Sequence, residues 1–305
     1  MSSVPNAIRQ DLRKAKKLEW WTLGWMSTVV VIMYFTMGTS QAMKTAFFED
    51  ILGLIPAITF LASAHLEPRA PTRKFPFGYL RANSLAFFAS AVVLTFMGIY
   101  LVWKNGTGLM MVEHPTIGPV TFFGETFWLG WLMIAALAYS IIPPVILGRL
   151  KQPIAKRLRD KVLYTDSMMQ KADWQTGAAG IFGILGIGLG LWWADSLAAL
   201  IIAVSIVLDG VNATRRASAE LVDGAPRGFE GTGISEEAVR LEQRIKKRWP
   251  GCKVRIRESG RFLFAVVEDI EAPEHVPSAE ELMGDDPAWR LAKLAFEPRS
   301  LGEPV

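Results

Sequence analysis

Over its first two thirds the chain alternates long apolar stretches with short connectors rich in Lys and Arg, and then it turns polar. The apolar stretches run Trp20–Thr39, Thr45–His65, Asn83–Trp103, Thr121–Leu147, Val162–Trp192 and Asp195–Ala213. Each comes up to the roughly 20 residues that a helix needs to cross about 30 Å of hydrocarbon, so the pattern predicts six membrane-spanning helices. The fifth is the most polar, with Asp166, Gln170, Lys171, Asp173 and Gln175 in its first half. Such a helix is expected to be shielded by its neighbours or to line water. Pro143 and Pro144 are expected to break or kink the fourth helix, and Gly180, Gly183, Gly186, Gly188 and Gly190 to let the fifth pack closely.

The remaining third reads as a small α+β unit. Leu221–Gly233 is a linker containing Gly and Pro. Ser235 is placed to cap a helix with Glu236 and Glu237 in its first turn and Lys246, Lys247 and Arg248 in its last, which suits the helix dipole at both ends. Trp249-Pro250-Gly251 stops it. Lys253–Glu258 and Phe262–Val267 read as strands joined at Ser259-Gly260, followed by a short helix at Ser278–Met283 and a strand or helix at Trp289–Phe296.

Composition sharpens the class. Of 305 residues, 51% are hydrophobic, and they are gathered in blocks, which excludes an ordinary soluble domain. The net charge of +4 does not indicate a nucleic-acid partner, because the basic residues border the apolar stretches. The N-terminal arm, the loop holding Arg69, Arg73, Lys74 and Arg81, the loop holding Arg149 to Lys161, and Arg215–Arg216 all fall on one side. The positive-inside rule then puts both termini in the cytoplasm, with the chain crossing the cytoplasmic membrane several times. The N-terminus is not expected to be a signal peptide, since the first stretch is too long and lacks a small-residue cleavage site. Trp20, Trp21, Trp103, Trp192 and Trp193 read as interface anchors. Cys252 is the only cysteine, so no intrachain disulfide is expected, and His65 and His114 are lone residues at span edges.

Two carboxylates stand where a membrane helix tolerates them least, Glu49 in the second stretch and Asp173 in the fifth. Each costs roughly 2.5–3.5 kcal/mol on insertion scales, so such acids face a bundle interior and mark ion paths. Asp50 lies about 100° around the helix from Glu49, so the two are not expected to share a face; one reads as the ligand and the other as a surface acid near the outer end of the span, with Glu49 favoured as the ligand. Lys171 reads as a cation reaching toward an interface, with an ion pair to Asp166 as the sharper alternative. No nucleophile–base pair or phosphate-binding loop points to an enzyme.

The run Lys74-Phe75-Pro76-Phe77-Gly78-Tyr79-Leu80-Arg81-Ala82-Asn83 resembles the junction between the second and third spans of cation diffusion facilitators. Ser40-Gln41-Ala42-Met43 ahead of Glu49, Ala194-Asp195-Ser196-Leu197-Ala198-Ala199-Leu200, and Leu221-Val222-Asp223 are similar to other stretches of that family. The resemblance implies a six-helix transmembrane domain followed by a ferredoxin-like cytoplasmic α+β domain in a homodimer. The divisions expected are a basic arm at 1–19, the transport domain at 20–216, a linker at 217–233 and the C-terminal domain at 234–305.

The resemblance also implies a transport site of two ligand pairs, each four residues apart on one helix. These map onto Glu49 and Gly53, and onto Met169 and Asp173. His or Asp is common at all four positions in the family; here one is a glycine and one a thioether, which argues against zinc as the favoured cargo. Two carboxylates with a sulfur suit Mn²⁺, Fe²⁺ or Co²⁺, with Zn²⁺ as a further candidate and water or a carbonyl at Gly53. Met169 equally reads as a packing residue, the favoured alternative. Asp166 and Asp50 are candidates for ion entry or coupling, with Lys171 beside them. Arg81 and Asp223 match a charge interlock between protomers, or are two unrelated interfacial charges.

The expected function is efflux of a divalent cation in exchange for protons, with alternating access and no permanently bound cofactor. The alternatives are a non-transporting relative serving as a membrane scaffold or heterodimer partner, and a transporter of a different cation.

Overall fold

The computed structural model describes residues 5–111, 117–122, 125–229, 233–271 and 273–297; His114 lies outside them. Six long helices form the larger part: α1 Asn6–Thr36, α2 Gln41–Leu66, α3 Ala82–Met110, α4 Leu129–Leu158, α5 Lys161–Gly188 and α6 Trp193–Leu221. Among them α2, α3, α4 and α6 are long and apolar enough to cross a membrane. The other two are as long but more polar, α1 because Trp, Thr, Gly and Ser interrupt its apolar run and α5 because of the acids and amides of its first half.

Large apolar side chains point away from the bundle. Phe35, Phe96 and Phe182 are each at least 70% exposed, the arrangement expected of helices whose outer surface meets lipid. Inside, α2 touches α1, α3, α5 and α6, and α4 packs along both α1 and α5. Small residues set the closest approaches. A Cβ at Gly183 of α5 would stand 2.8 Å from the Ala198 methyl of α6, and one at Gly210 of α6 would stand 2.7 Å from the Thr95 amide nitrogen of α3.

The fourth apolar stretch departs from expectation at its start. Residues from Thr121 do not begin a helix, because Pro119–Phe122 (β1) and Glu125–Trp128 (β2) pair as an antiparallel ribbon. Alternating β-branched and aromatic residues suit such a ribbon. Pro143 and Pro144 do not break α4, which runs through both of them and through Pro153.

The C-terminal unit runs α7 Glu236–Arg248, β3 Lys253–Ser259, β4 Phe262–Glu268, α8 Ala279–Met283 and β5 Leu291–Glu297, so the last segment, open between strand and helix in the sequence, is a strand. The sheet has the order β3-β4-β5, with β3 and β4 antiparallel and β4 and β5 parallel. Leu263, Ala265 and Val267 alternate inward along β4 and pack with Leu241 and Ile245 of α7 and Leu282 and Met283 of α8. Ser235 holds the N-cap position of α7, but its side chain makes no capping hydrogen bond.

The β3–β4 turn is pressed against the helical bundle. Gly260 has φ of +58°, and a Cβ there would lie 2.7 Å from the Leu80 carbonyl oxygen, so both its backbone conformation and its surroundings call for glycine. Next to it Arg261 is buried and ion-paired with Glu67, just after α2, and with Asp160, the N-cap of α5, at 3.7 Å. Glu258 bonds Lys161 at the start of α5 and Arg290 at 2.6 Å. Phe229 of the linker also packs down, its ring centroid 4.7 Å from that of Tyr164 of α5.

Candidate functional site: an acid-lined cavity between the helices

Two apolar clusters frame the middle of the bundle. One, toward the C-terminal unit, includes Phe60, Phe87, Leu158, Leu163 and Ala217. The other, toward the opposite end, includes Val29, Met43, Met133, Leu137 and Ile184. Between them lies a cavity of about 60 Å³, room for a few water molecules.

Its wall comes chiefly from α2 and α5. On α2, Glu49, Asp50, Gly53 and Pro56 line it, and on α5, Asp166, Met169, Gln170, Asp173, Thr176 and Gly177. The α5 residues recur at intervals of three and four, which is one helical face. The polar half of the fifth stretch is thus the face turned toward the cavity. Asp50 and Glu49 line the same space, so the adjacent acids do not divide into one inward and one surface residue. Asp50 Oδ2 is buried with no hydrogen-bond partner among the described residues.

The register of α2 is fixed at its start. Ser40 caps the helix, its hydroxyl accepting from the Met43 amide at 3.1 Å. Asp195, in the first turn of α6, accepts from Ser40 Oγ at 2.6 Å and from the Gln41 and Ala42 amides at 2.5 and 3.2 Å. A carboxylate on the orphan amides of a helix start is favourable through both hydrogen bonding and the dipole. It sets where Glu49, nine residues on, meets α5.

The structure adds residues that the sequence reading did not single out. Ser205 and Asp209, four apart on α6, line the cavity, as does Met26 from α1. The sign for Asp209 was present, as a carboxylate inside the sixth apolar stretch. Met26 had none, because a methionine in an apolar helix reads as packing. Its Cε lies 3.4 Å from where a Gly53 Cβ would be, so two thioethers, Met26 and Met169, border the space.

Lys171 is exposed and does not pair with Asp166. Asp166 instead accepts from Lys151 of α4 at 2.7 Å, and Lys151 also donates to Glu19 of α1 at 2.8 Å. All three are buried. In the sequence Lys151 is one charge of a basic loop, and nothing in its spacing distinguishes it. Away from the cavity, Arg81 is ion-paired with Asp223 within the chain, and Arg257 reaches the same carboxylate at 2.8 Å.

Among the described residues no three His, Cys, Asp or Glu side chains converge closely enough to hold one metal ion. The donors at the cavity are hard carboxylate oxygens, two amides, hydroxyls and two thioethers, without imidazole. Such a set favours ions that accept oxygen ligands and keep part of their water shell.

Comparison with known proteins gives the family. Residues 22–222 match the family model of the cation efflux transmembrane domain. Relatives include the manganese efflux system protein MneS of Bacillus subtilis, 20% identical over 85% of this chain and 86% of its own. A probable cation efflux system protein of Mycobacterium tuberculosis is 21% identical over 75% of this chain and 67% of its own. An uncharacterized transporter of Methanocaldococcus jannaschii is 22% identical over 52% of each chain. With the apolar helices and the family match together, the chain is a multi-pass membrane protein and belongs to the cation efflux family.

Proposed function

We propose that the protein exports a divalent metal cation in exchange for protons, through alternating exposure of the acid-lined cavity to the two sides of the membrane. The observation that carries the reading is that Glu49 of α2 and Asp173 of α5 line one cavity, with Asp50 and Asp209 beside them. Several carboxylates in a poorly solvated space need their charge balanced, by bound protons or by a cation. Entry of a metal ion then displaces protons, and its departure takes them back.

Glu49 and Asp173 supply the anionic ligands in this reading. Met169 and water in the gap at Gly53 complete the shell, and Asp166 and Asp50 assist entry or coupling. Lys171, exposed, is left at the interface. The absence of imidazole among these donors favours Mn²⁺, Fe²⁺ or Co²⁺ over Zn²⁺, and the Bacillus relative carries the name of a manganese efflux protein. The metal is cargo and no resident cofactor is required.

The same reading takes all six long helices as spans in the cytoplasmic membrane, with both termini in the cytoplasm. It divides the chain into an arm at 1–19, a transport domain at 20–216, a linker at 217–233 and a ferredoxin-like C-terminal domain at 234–305. Two protomers associate, with the Arg81–Asp223 pair near their contact.

A second reading has one observation in its favour. Because no three acidic, His or Cys side chains converge among the described residues, the chain could be a non-transporting relative that scaffolds a partner. Ion-resolved flux into proteoliposomes separates the two. Uptake of at least one of Mn²⁺, Fe²⁺, Co²⁺ and Zn²⁺, driven by a proton gradient, supports the exporter. No metal-dependent proton movement with any of them supports the scaffold.

A further inference from the structure

The cavity ends, on the side of the basic connectors, at a charge cluster in which the transport reading uses Asp166 and leaves Lys151 and Glu19 without a role. Lys151 of α4 is completely buried, and its ammonium donates to Glu19 Oε2 at 2.8 Å and to Asp166 Oδ2 at 2.7 Å. One cation therefore has two carboxylate homes. They are not equivalent. Asp166 lines the cavity and also accepts from Gln170 Nε2, at 3.1 and 3.2 Å to its two oxygens. Glu19 does not line the cavity, and its Oε1 is buried with no partner among the described residues.

Gln170 carries the second sign. It is 5% exposed, it lines the cavity, and its carbonyl Oε1 has no partner among the described residues. Buried polar oxygens are costly to leave unpaired. An oxygen of this kind at a cavity wall suits a cation that is sometimes present. The other charged groups around the cavity are Glu49 and Asp50 of α2, Asp173 of α5 and Asp209 of α6, all of one sign. Lys151 is thus the cation that reaches a carboxylate of this wall among the described residues.

We infer that Lys151 is a tethered cation that competes with the cargo for Asp166, and that Glu19 receives it when the cargo binds. With the cavity empty, the ammonium neutralises Asp166. When a divalent ion enters, Asp166 and the Gln170 carbonyl turn to it, and the ammonium shifts to Glu19, whose free oxygen accepts it. An ammonium and a divalent ion on one carboxylate repel strongly in a low dielectric, so the two occupancies exclude each other. Lysine suits the role, as a compact charge on a flexible stem that can swing between partners; the planar fork of arginine would tie it to one. The hand-over also changes what joins α4 to α5 and to α1, which gives the ion a differential contact between two arrangements of the helices. The inference rests on the cavity being the cargo site, and adds Asp166 and Gln170 as donors and Lys151 as their occupant in the empty state.

Equilibrium titration of the purified full chain in lipid nanodiscs with Mn²⁺ alone, at fixed pH and salt, tests it. E19Q removes the second home and should weaken Mn²⁺ binding about tenfold, whereas K151M removes the competitor and should tighten it by about the same factor. The double variant should match K151M, because Glu19 acts only through Lys151. Unchanged affinity in both single variants overturns the inference, and so does an E19Q effect that persists with Met at position 151. Melting temperatures follow the fold. If K151M does not fold, E19D decides, since it keeps a carboxylate and should bind as the parent does, while affinity as weak as in E19Q counts against the hand-over. D173N separates the two levels. Mn²⁺ binding retained in D173N removes the cargo site itself, and binding lost in D173N but unaltered in E19Q removes only the role of Lys151.

Discussion

Ser40 donates a 2.6 Å hydrogen bond to Asp195, so the first turn of one long helix holds the first turn of another. Asp195 is fully buried and accepts two backbone amides of α2 in addition. Removing the carboxylate leaves these donors unsatisfied. D195A is expected to destabilise the folded chain by about 2–3 kcal/mol, and S40A, which removes one cap, by about 1 kcal/mol. Thermal unfolding in detergent measures both, and D195A melting like the parent would refute this role.

Asp209 is the clearest addition to the acids read from the sequence. Its place on α6, one turn from Ser205 and on the cavity wall, makes it a contributor to the field that attracts cargo. D209N should lower metal flux by about tenfold, well short of abolishing it, because the charge is removed while Glu49 and Asp173 remain. Flux equal to that of the parent would place Asp209 outside the path.

Arg261 tests the junction between the bundle and the C-terminal unit. It is 5% exposed and serves two carboxylates, Glu67 and Asp160. Asp160 is buried and Glu67 half-buried, and taking away the buried partner of such acids costs about 3–5 kcal/mol. R261A should therefore destabilise strongly and expose the β3–β4 turn to protease. R257A, whose side chain is partly exposed, should do much less. The comparison needs a chemical unfolding curve and a timed digest of each variant.

Acid sensitivity of the C-terminal unit should trace to Asp286. Hydrogen bonds from Arg240 at 2.6 and 3.0 Å, with Arg244 at 3.0 Å, hold its carboxyl below the usual carboxylate range. A carboxyl lowered by folding contributes stability above its unfolded value and loses it as pH falls through the folded one. Stability of the parent should drop as pH falls below the ordinary carboxylate range. D286N should be less stable at neutral pH and show a shallower drop. Parallel curves for the two would exclude Asp286.

Much of this architecture could be read from the chain. Apolar runs long enough to span a bilayer locate the helices because a helix is the structure in which one segment satisfies its own backbone in lipid. The polar face of α5 announced its own environment, since Asp166, Gln170 and Asp173 share one side of a helix. Strands β3 and β4 followed from alternation and from the turn at Gly260, whereas the segment that forms β5 could be read as strand or helix. Part of what escaped depended on partners remote in sequence. Lys151 lies among basic residues that all satisfy the same topology rule, and only the packing of α1, α4 and α5 sets it apart. Pro119–Phe122 and Glu125–Trp128 escaped for a local reason, since hydropathy alone does not separate a short paired apolar ribbon from the start of a span. Asp50 was assigned to another face from helix geometry alone, whereas the cavity is wide enough to include both neighbours.

The most direct measurement follows metal and protons together in proteoliposomes holding the parent chain or D173N. With a pH-sensitive dye inside and a pulse of Mn²⁺ outside, the parent should move Mn²⁺ and protons in opposite directions at a fixed ratio, and D173N should move neither while remaining folded in the membrane. Undiminished Mn²⁺ transport by D173N, or metal movement in the parent without proton movement, would contradict exchange at the Glu49–Asp173 cavity.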